Sequence, residues 1–245
     1  MKKIAIIPCY NVNIENLKKI VETTNKFVDY ILIMDDGDES KINISGCTII
    51  RNKERKGKGY SLKKGFQYAL ENGFDVIITL DGDGEHNPED ITKFYEQIKK
   101  SDFVVGQRKI YRSKIRKILN QWSSIWLNLL IPKIKDTNCG FRAIRSGLIR
   151  KMNLTSNEFE IEIEMMLEAV RNNAKIESVD IQTDINDKSN VKFLNYIKIN
   201  NLFDKWVLRN KDCMNFSLLK KSFLVSSAAV GLGIGKLIEL YLSKK

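Results

Sequence analysis

The sequence predicts an α/β fold in which a mostly parallel sheet is flanked by helices. Short apolar segments rich in isoleucine and valine alternate, as far as Arg108, with segments whose apolar residues recur at helical spacing. Acidic or glycine-rich residues directly follow several of the apolar segments. Ligands of open α/β sheets bind at this end of the strands. Alternation of strands and helices is typical of parallel strands joined by right-handed crossovers.

The first four strands and the first two helices follow from local patterns. Residues 3–7 form a mainly apolar run that Pro8 ends, which predicts a buried strand. Residues 13–24 place Ile14, Leu17 and Val21 on one face and predict a helix. Further strands are expected at residues 30–34, 47–50 and 76–80. A second helix is expected at residues 60–71, directly after a basic, glycine-rich turn.

The later elements have weaker patterns. Asn87 is a good N-cap and Pro88 suits a first turn, so residues 88–99 predict a helix. Residues 159–170 alternate like a strand at first but continue at helical spacing, and we favour a helix. Residues 110–130 predict a helix with Trp122 and Trp126 on one face. A short extended segment is expected at residues 136–141, and strands at residues 102–105 and 176–181.

The chain is expected to have two parts, an α/β domain over residues 1–200 and a helical tail over residues 201–245. Within the tail, residues 222–235 carry no charge, and Ser227, Gly231 and Gly235 fall on one small-residue face. We expect this tail to associate with a membrane and to offer a surface for an integral membrane partner. Whether residues 222–242 span the membrane stays open, because Lys236 and Glu239 interrupt the apolar run.

Composition restricts the partners and the chemistry. The net charge of +11 favours an anionic partner, such as a phosphorylated substrate or an anionic membrane surface. The four cysteines are scattered, as is typical of reduced thiols in the cytoplasm. His86 is the only histidine, which excludes any site that needs two. The first apolar run is too short for a signal peptide, so we expect a cytoplasmic location.

The segment Asp81-Gly82-Asp83 is the strongest candidate site. The two carboxylates follow a predicted strand directly and precede a capped helix, so they should lie at a strand tip. Neighbouring carboxylates repel each other unless a cation lies beside them. Oxygen ligands of this kind suit Mg²⁺ or Mn²⁺, which can hold a diphosphate.

Other interpretations of these motifs fit less well. A calcium loop would need glycine and glutamate where His86 and Thr92 stand. An aspartate-based phosphatase usually carries such a pair on its first strand, and an exposed acidic turn is the simplest alternative. The spacing of Gly57, Gly59 and Gly65 matches neither a dinucleotide fingerprint nor a P-loop. We interpret this segment as a basic turn able to approach a phosphate.

The order of the motifs is more specific than any one of them. Six segments follow one another along the chain: residues 7–11, 34–37, 57–59, 80–89, 106–108 and 136–142. This order resembles the family 2 glycosyltransferases with a GT-A nucleotide-diphospho-sugar transferase fold. Within them it is similar to the dolichyl- or polyprenyl-phosphate sugar transferases, chiefly through Asp136-Thr137-Asn138-Cys139-Gly140-Phe141-Arg142. The resemblance covers roughly residues 3–192.

The resemblance implies a role for each matching residue. The nucleotide-sugar pocket would include Pro8, Tyr10, Asp35, Asp36, Lys58, Asp81 and Asp83. Asp81 and Asp83, with Glu85 as a further ligand, would hold Mg²⁺ or Mn²⁺. Asp83 and Arg108 would be catalytic, and Arg108, Arg116 and Asn120 would meet the acceptor phosphate.

These roles predict an inverting transferase that moves a sugar from a nucleoside-diphosphate sugar to a polyprenyl phosphate at the cytoplasmic face of the cell membrane. A phosphate acceptor is already ionised near neutral pH and needs positioning more than a strong base. The alternative is a family 2 enzyme that acts on a soluble glycan or a cell-surface polysaccharide. A nucleic-acid-binding protein, suggested by the basic charge, gives no reason for acidic residues at strand tips, so we expect no nucleic-acid partner.

Overall fold

Seven strands form one sheet in the computed structural model, which describes residues 1–37, 41–109, 134, 136–184, 206 and 209. The strands are β1 (Lys3–Cys9), β2 (Tyr30–Asp35), β3 (Thr48–Arg51), β4 (Val76–Thr79), β5 (Phe103–Arg108), β6 (Arg142–Arg145) and β7 (Ile176–Ile181). The helices are α1 (Ile14–Thr24), α2 (Lys58–Glu71), α3 (Ile91–Ile98), α4 (Ser146–Ile149) and α5 (Ile161–Arg171), with a 3₁₀ turn at Pro88–Asp90. The fold is mixed α/β, as the sequence predicts.

The order of strands across the sheet is β3-β2-β1-β4-β6-β5-β7. Strand β1 pairs in parallel with both β2 and β4, so the chain changes direction across the sheet at this point. Strand β7 continues the sheet parallel to β5. Ligands of open α/β sheets bind in the crevice at such a reversal, beyond the carboxyl ends of the strands. The topology therefore places the ends of β1 and β4 at the natural position for a site.

Besides the short helix α4, the sequence analysis missed strand β6. It lies between β4 and β5 and is antiparallel to both, whereas residues 136–141 had been expected to form the extended segment. Two arginines bound this strand of four residues, and Arg142 is fully buried. Arginine is almost never fully buried unless it is paired. A segment of four residues that begins and ends with arginine is therefore typical of an exposed loop, and its sequence does not predict a buried strand.

The other expected elements that fall within the described residues are present. The helix expected at residues 88–99 is a 3₁₀ turn followed by α3, with Asn87 accepting a hydrogen bond from the Glu89 amide. The helix favoured at residues 159–170 is α5. The helix expected at residues 110–130, with Trp122 and Trp126, and nearly all of the tail at residues 201–245 lie outside the described residues. Within the described ranges, no helix is long and apolar enough to cross a membrane.

Helix α2 packs on the sheet through a glycine. A Cβ atom on Gly65 would lie 2.7 Å from Ile6 Cγ2, and Ile6 is fully buried in β1. The backbone of α2 can therefore approach the sheet only because this position has no side chain.

Gly65→Ala is expected to lower the free energy of unfolding by about 1–3 kcal/mol, because the buried Ile6 side chain has little room to move. Gly147→Ala in α4 is the control, since a Cβ there meets nothing within 4 Å. Alanine is the better helix former, so the control should be neutral or slightly more stable. Urea denaturation of both variants measures the difference, and equal stabilities would contradict the close contact.

Candidate active site

The carboxyl edge of the sheet collects most of the predicted site residues. Tyr10 follows β1, Asp35 ends β2, Asp81 lies two residues after β4, and Arg108 ends β5. Because these strands are parallel to one another, their ends meet at one edge. The second helix begins at the same edge and contributes Lys58.

The Asp81 side chain is partly exposed, and its carboxylate packs closely against Gly140. Its oxygens Oδ2 and Oδ1 would be 2.5 Å and 2.7 Å from a Cβ on Gly140, so only glycine leaves room for them. Its Oδ1 lies 2.6 Å from Lys58 Nζ. Burial alone would raise the pKa of Asp81, but the charge and hydrogen bond of Lys58, together with interactions with His86 and Arg108, outweigh burial and lower this pKa well below its ordinary value. Asp81 is therefore an anion at any physiological pH.

Lys58 joins Asp81 to the first turn of α5. Its Nζ donates to Glu162 Oε1 at 2.5 Å as well as contacting Asp81, and it lies 5.6 Å from the centre of the Phe159 ring. Burial would lower the pKa of Lys58, but the charges of Asp81 and Glu162 raise it above its ordinary value. A permanently charged ammonium group thus bridges two carboxylates at the mouth of the site.

Asp83 and Glu85 continue the acidic loop in different environments. Asp83 is half-buried, and its Oδ1 accepts a hydrogen bond from the Glu85 amide at 3.0 Å. Glu85 is buried, and its Oε1 accepts from Arg108 Nη1 at 3.2 Å. Within the described ranges, no group of three or more His, Cys, Asp or Glu side chains could hold a metal ion. The role of Glu85 as a metal ligand stays a prediction.

The donor set nevertheless fits a hard divalent cation. Asp81 and Asp83 offer carboxylate oxygens only, and the Lys58 ammonium group already lies against Asp81 as a cation. Magnesium is commonly held by one or two carboxylates together with substrate phosphates, so a protein cluster of three ligands is not required. We therefore retain Asp81 and Asp83 as the residues that would hold Mg²⁺ or Mn²⁺.

Arg108 forms a buried ion-pair group with two carboxylates. Its Nε and Nη2 donate to the two oxygens of Asp136 at 2.6 Å and 2.9 Å, and its Nη1 donates to Glu85. The three side chains are at most 2% exposed. Burial alone would lower the pKa of Arg108, but the Asp136 carboxylate raises it above its ordinary value. The predicted contact of Arg108 with an acceptor phosphate stays a prediction, and its described contacts tie β5 to residues 85 and 136.

The two acidic residues at the end of β2 accept hydrogen bonds from the segment at residues 51–57. Asp36 accepts hydrogen bonds from Asn52 Nδ2 and from the amides of Lys56 and Gly57, each at 2.8 Å. Asp35 accepts from Arg51 Nη1 at 2.7 Å. Both aspartates are buried, and Asp36 anchors the basic, glycine-rich turn beside Asp81.

Tyr10 is the exposed member of the group, with 46% of its surface accessible. The Arg55 guanidinium lies 5.2 Å from its ring centre and also pairs with Glu158 at 3.1 Å. Pro8 lies in β1 beside Met34 of β2. The predicted roles of Pro8, Tyr10, Asp35 and Asp36 in nucleotide binding are compatible with this placement at the carboxyl edge.

A buried arginine organises the loop that carries Gly140. Arg142 donates to the carbonyl oxygens of Cys139, Thr137 and Glu162, at 2.7, 2.8 and 2.5 Å. Burial lowers the pKa of Arg142 below its ordinary value. These hydrogen bonds hold the Gly140 segment and the start of α5 together, on either side of Asp81 and Lys58.

The lone histidine contacts the acidic loop through the Asp81 amide. His86 is buried, its Nδ1 accepts from the Asp81 amide at 3.5 Å, and its ring lies 5.5 Å from that of Phe141. Its position between Asp81, Cys139 and Phe141 indicates that it supports the loop conformation.

Sequence reasoning assigned no role to Glu162, Asp136 or Arg142, although the last two belong to the motif at residues 136–142. A signal for Glu162 is present in the alternation of glutamates with apolar residues in α5, because a carboxylate on a buried helix face requires a partner. No sequence feature identified that partner as Lys58, 104 residues away. Arg116 and Asn120 lie outside the described residues.

Comparison with known proteins supports the order of motifs. The family model described as "Glycosyl transferase family 2" matches residues 4–155. Undecaprenyl-phosphate mannosyltransferase of Micrococcus luteus is 25% identical over 202 residues, which are 74% of this chain and 83% of that protein. The UDP-N-acetylglucosamine–dolichyl-phosphate N-acetylglucosaminyltransferase of Methanococcus voltae is 26% identical over 211 residues, covering 73% and 84%. These matches confirm the resemblance to polyprenyl-phosphate sugar transferases.

A solved structure supports the fold. Glucosyl-3-phosphoglycerate synthase from Mycobacterium tuberculosis, in complex with Mn²⁺ and UDP-glucose, superposes with a TM-score of 0.67. The match covers 83% of this chain and 78% of that one, at 13% identity. The likeness confirms the predicted nucleotide-diphospho-sugar transferase fold.

Proposed function

The chain belongs to glycosyl transferase family 2, and from this premise we propose that it transfers a sugar from a nucleoside-diphosphate sugar to a polyprenyl phosphate. The observation that carries the proposal is the Asp81-Gly82-Asp83 tip at the sheet reversal, where Asp81 is fitted against Gly140 and paired with Lys58. A carboxylate site of this kind suits a cation-bound diphosphate.

We assign the donor to the edge between β1, β2 and β4. Pro8 and Tyr10 would line the nucleotide, and Asp35 and Asp36 would shape its pocket. Lys58, Asp81 and Asp83 would face the diphosphate, with Mg²⁺ or Mn²⁺ on the two aspartates. The structural neighbour was solved with Mn²⁺ and UDP-glucose, which supports this assignment by analogy of fold.

The acceptor assignment draws on the relatives. The names of both relatives described above include a polyprenyl or dolichyl phosphate. Because the guanidinium of Arg108 is committed to Asp136 and Glu85, we propose Arg116, together with Asn120, as the main contact of the acceptor phosphate. The two relatives have different sugars in their names, so both UDP- and GDP-sugars are candidate donors.

The reaction would be a single displacement. An oxygen of the acceptor phosphate attacks the anomeric carbon, the bond from that carbon to the β-phosphate oxygen breaks, and the nucleoside diphosphate leaves with both electrons. A divalent cation, when bound, supplies Lewis-acid stabilisation of the leaving diphosphate. Lys58 adds a second positive charge on the same side. Inversion at the anomeric carbon follows from one displacement.

A donor screen tests the proposal. Radiolabelled UDP- and GDP-sugars are incubated with the full chain, Mn²⁺ and an undecaprenyl phosphate or a dolichyl phosphate. Label that becomes extractable into organic solvent supports a lipid acceptor. Label transferred only to a soluble glycan or a polysaccharide would overturn the lipid acceptor and favour the alternative, and no transfer from any donor would contradict the proposed activity.

Arg116→Ala is expected to raise the KM for polyprenyl phosphate by about tenfold, with a smaller effect on the KM for the donor. The loss of one charge-assisted contact to a phosphate costs roughly 1.5 kcal/mol at the lower end of the usual range, which corresponds to about tenfold. Lys114→Ala is the matched control, because it removes a positive charge from the same segment. Steady-state kinetics with each substrate varied in turn measures the effect, and equal changes in both variants would contradict a specific acceptor contact.

We further propose that the enzyme works at the membrane surface, because the hydrocarbon chain of a polyprenyl phosphate lies in the bilayer. We assign it to the cytoplasmic face. The net charge of +11 supports attraction to anionic lipids. The tail at residues 201–245 is proposed to strengthen this association or to bind an integral membrane partner. Flotation of the full chain with anionic vesicles, compared with a chain ending at residue 200, tests the tail.

A further inference from the structure

Lys58 is held at the candidate metal site by two carboxylates from different parts of the chain. Its Nζ lies 2.6 Å from Asp81 Oδ1 and 2.5 Å from Glu162 Oε1. The side chains of Lys58, Asp81 and Glu162 are 12%, 24% and 6% exposed, so water screens them only in part. A divalent cation beside Asp81 would meet the ammonium group at the same carboxylate, and like charges at that distance repel strongly.

Glu162 is the fixed member of this group. Its backbone oxygen accepts from the fully buried Arg142, and its side chain is nearly covered. The backbone at Lys58 is also constrained, since a Cβ on Gly57 or Gly59 would lie 2.3 Å or 2.6 Å from a carbonyl oxygen of residues 157 or 156. The flexible side chain of Lys58 therefore joins a constrained backbone at one end to the Glu162 carboxylate at the other.

Resting on the proposed function, we propose that Glu162 is a positioning residue that shares the Lys58 ammonium group with Asp81 and so limits the competition between Lys58 and the divalent cation for Asp81 until the donor binds. The donor's diphosphate offers the ammonium group a new anionic partner. Lys58 then moves from Asp81 to the diphosphate while it stays paired with Glu162. Because coupling between two ligands is reciprocal, the donor strengthens cation binding and the cation strengthens donor binding.

Binding of Mn²⁺ without donor tests the competition directly. The electron paramagnetic resonance signal of free Mn²⁺ is titrated against the full chain, Lys58→Met and Lys63→Met. We expect Lys58→Met to bind Mn²⁺ about tenfold more tightly than the unmodified chain, because Asp81 loses its competing cation. Lys63→Met is the matched control: it removes the same charge from α2, but its amine bonds Thr155 O and Asn157 Oδ1. Its Mn²⁺ affinity should stay within about twofold.

Glu162→Gln supplies the opposite change. Without the second carboxylate, the ammonium group has only Asp81 as a partner, and Mn²⁺ affinity should fall by roughly threefold to tenfold. Glu162→Asp, which keeps the charge, should recover part of that affinity. A purely structural role of Glu162 would lower thermal stability and leave the Mn²⁺ affinity of the folded protein unchanged. Thermal unfolding of each variant confirms that the folded form is compared.

The outcomes separate this inference from the proposed function. Saturable Mn²⁺ binding with equal affinity in the unmodified chain, Lys58→Met and Glu162→Gln would overturn the inference and leave the proposed transfer intact. The absence of Mn²⁺ binding in all of them would overturn both the inference and the assigned metal site. Transfer itself is decided independently by the donor screen.

Discussion

Asp83→Ala is expected to abolish sugar transfer, with kcat/KM lower by about 1,000-fold or more. Asp83 lies in the acidic loop between Asp81 and Glu85, and its carboxylate would share the cation that neutralises the leaving diphosphate. A thousandfold loss corresponds to about 4 kcal/mol of transition-state stabilisation, which is within the range for Lewis-acid chemistry. Kinetics over a range of Mn²⁺ concentrations, with the donor found in the screen, measures the loss.

Glu89→Ala is the matched control for Asp83→Ala. Glu89 is exposed and belongs to the same acidic segment, but it lies in the 3₁₀ turn beyond the strand tip. Its substitution by alanine removes the same charge as Asp83→Ala. This variant should keep nearly full activity, so a large loss in Asp83→Ala alone cannot reflect a general change of charge. Retained transfer with full metal dependence in Asp83→Ala would refute the assignment of this aspartate.

The sheet and its candidate site differ in how far the sequence predicted them. The strands that end at Asp35 and precede Asp81 were predictable, because apolar runs end abruptly in carboxylates at the edge where ligands bind. The proximity of Asp81 to Gly140 was not predictable from spacing, because it depends on β6 entering the sheet beside β4. The motif order linked these segments only through resemblance.

Buried charge explains most of what the sequence did not show. Arg142 and Glu162 are nearly inaccessible. Glu162 pairs with Lys58, 104 residues away, and Arg142 donates to the Glu162 carbonyl oxygen, 20 residues away. Sequence periodicity reports which face of an element is buried, but it cannot pair one charge with another across the fold. The sequence therefore predicted the basic turn from its own residues alone. The position of the Lys58 ammonium group depends on Asp81 and Glu162, which lie elsewhere along the chain.

Arg108→Met is expected to destabilise the protein by about 3–5 kcal/mol. The substitution leaves Asp136 and Glu85 as buried carboxylates without the guanidinium that pairs with both. Removal of one partner from a buried ion pair is costly because the remaining charge keeps its desolvation penalty. Urea denaturation followed by circular dichroism measures the change.

Lys109→Met is the control for Arg108→Met, since it breaks the neighbouring pair with Asp180. That pair is 71% and 60% exposed, and an exposed pair contributes at most about 1 kcal/mol. A similar stability of the two variants would contradict the structural role of Arg108.

A double variant separates lost pairing from lost packing. Glu85→Gln in the Arg108→Met background removes one of the two buried carboxylates that lost the guanidinium, so it should recover part of the lost stability. No recovery would point to packing as the main contribution of Arg108. Unchanged stability of Arg108→Met, combined with a raised KM for polyprenyl phosphate, would instead support the predicted contact of Arg108 with the acceptor. Because Asp136 lies in the same segment as Gly140, loss of Arg108 should also disturb Asp81, which couples the stability of β5 to the geometry of the site.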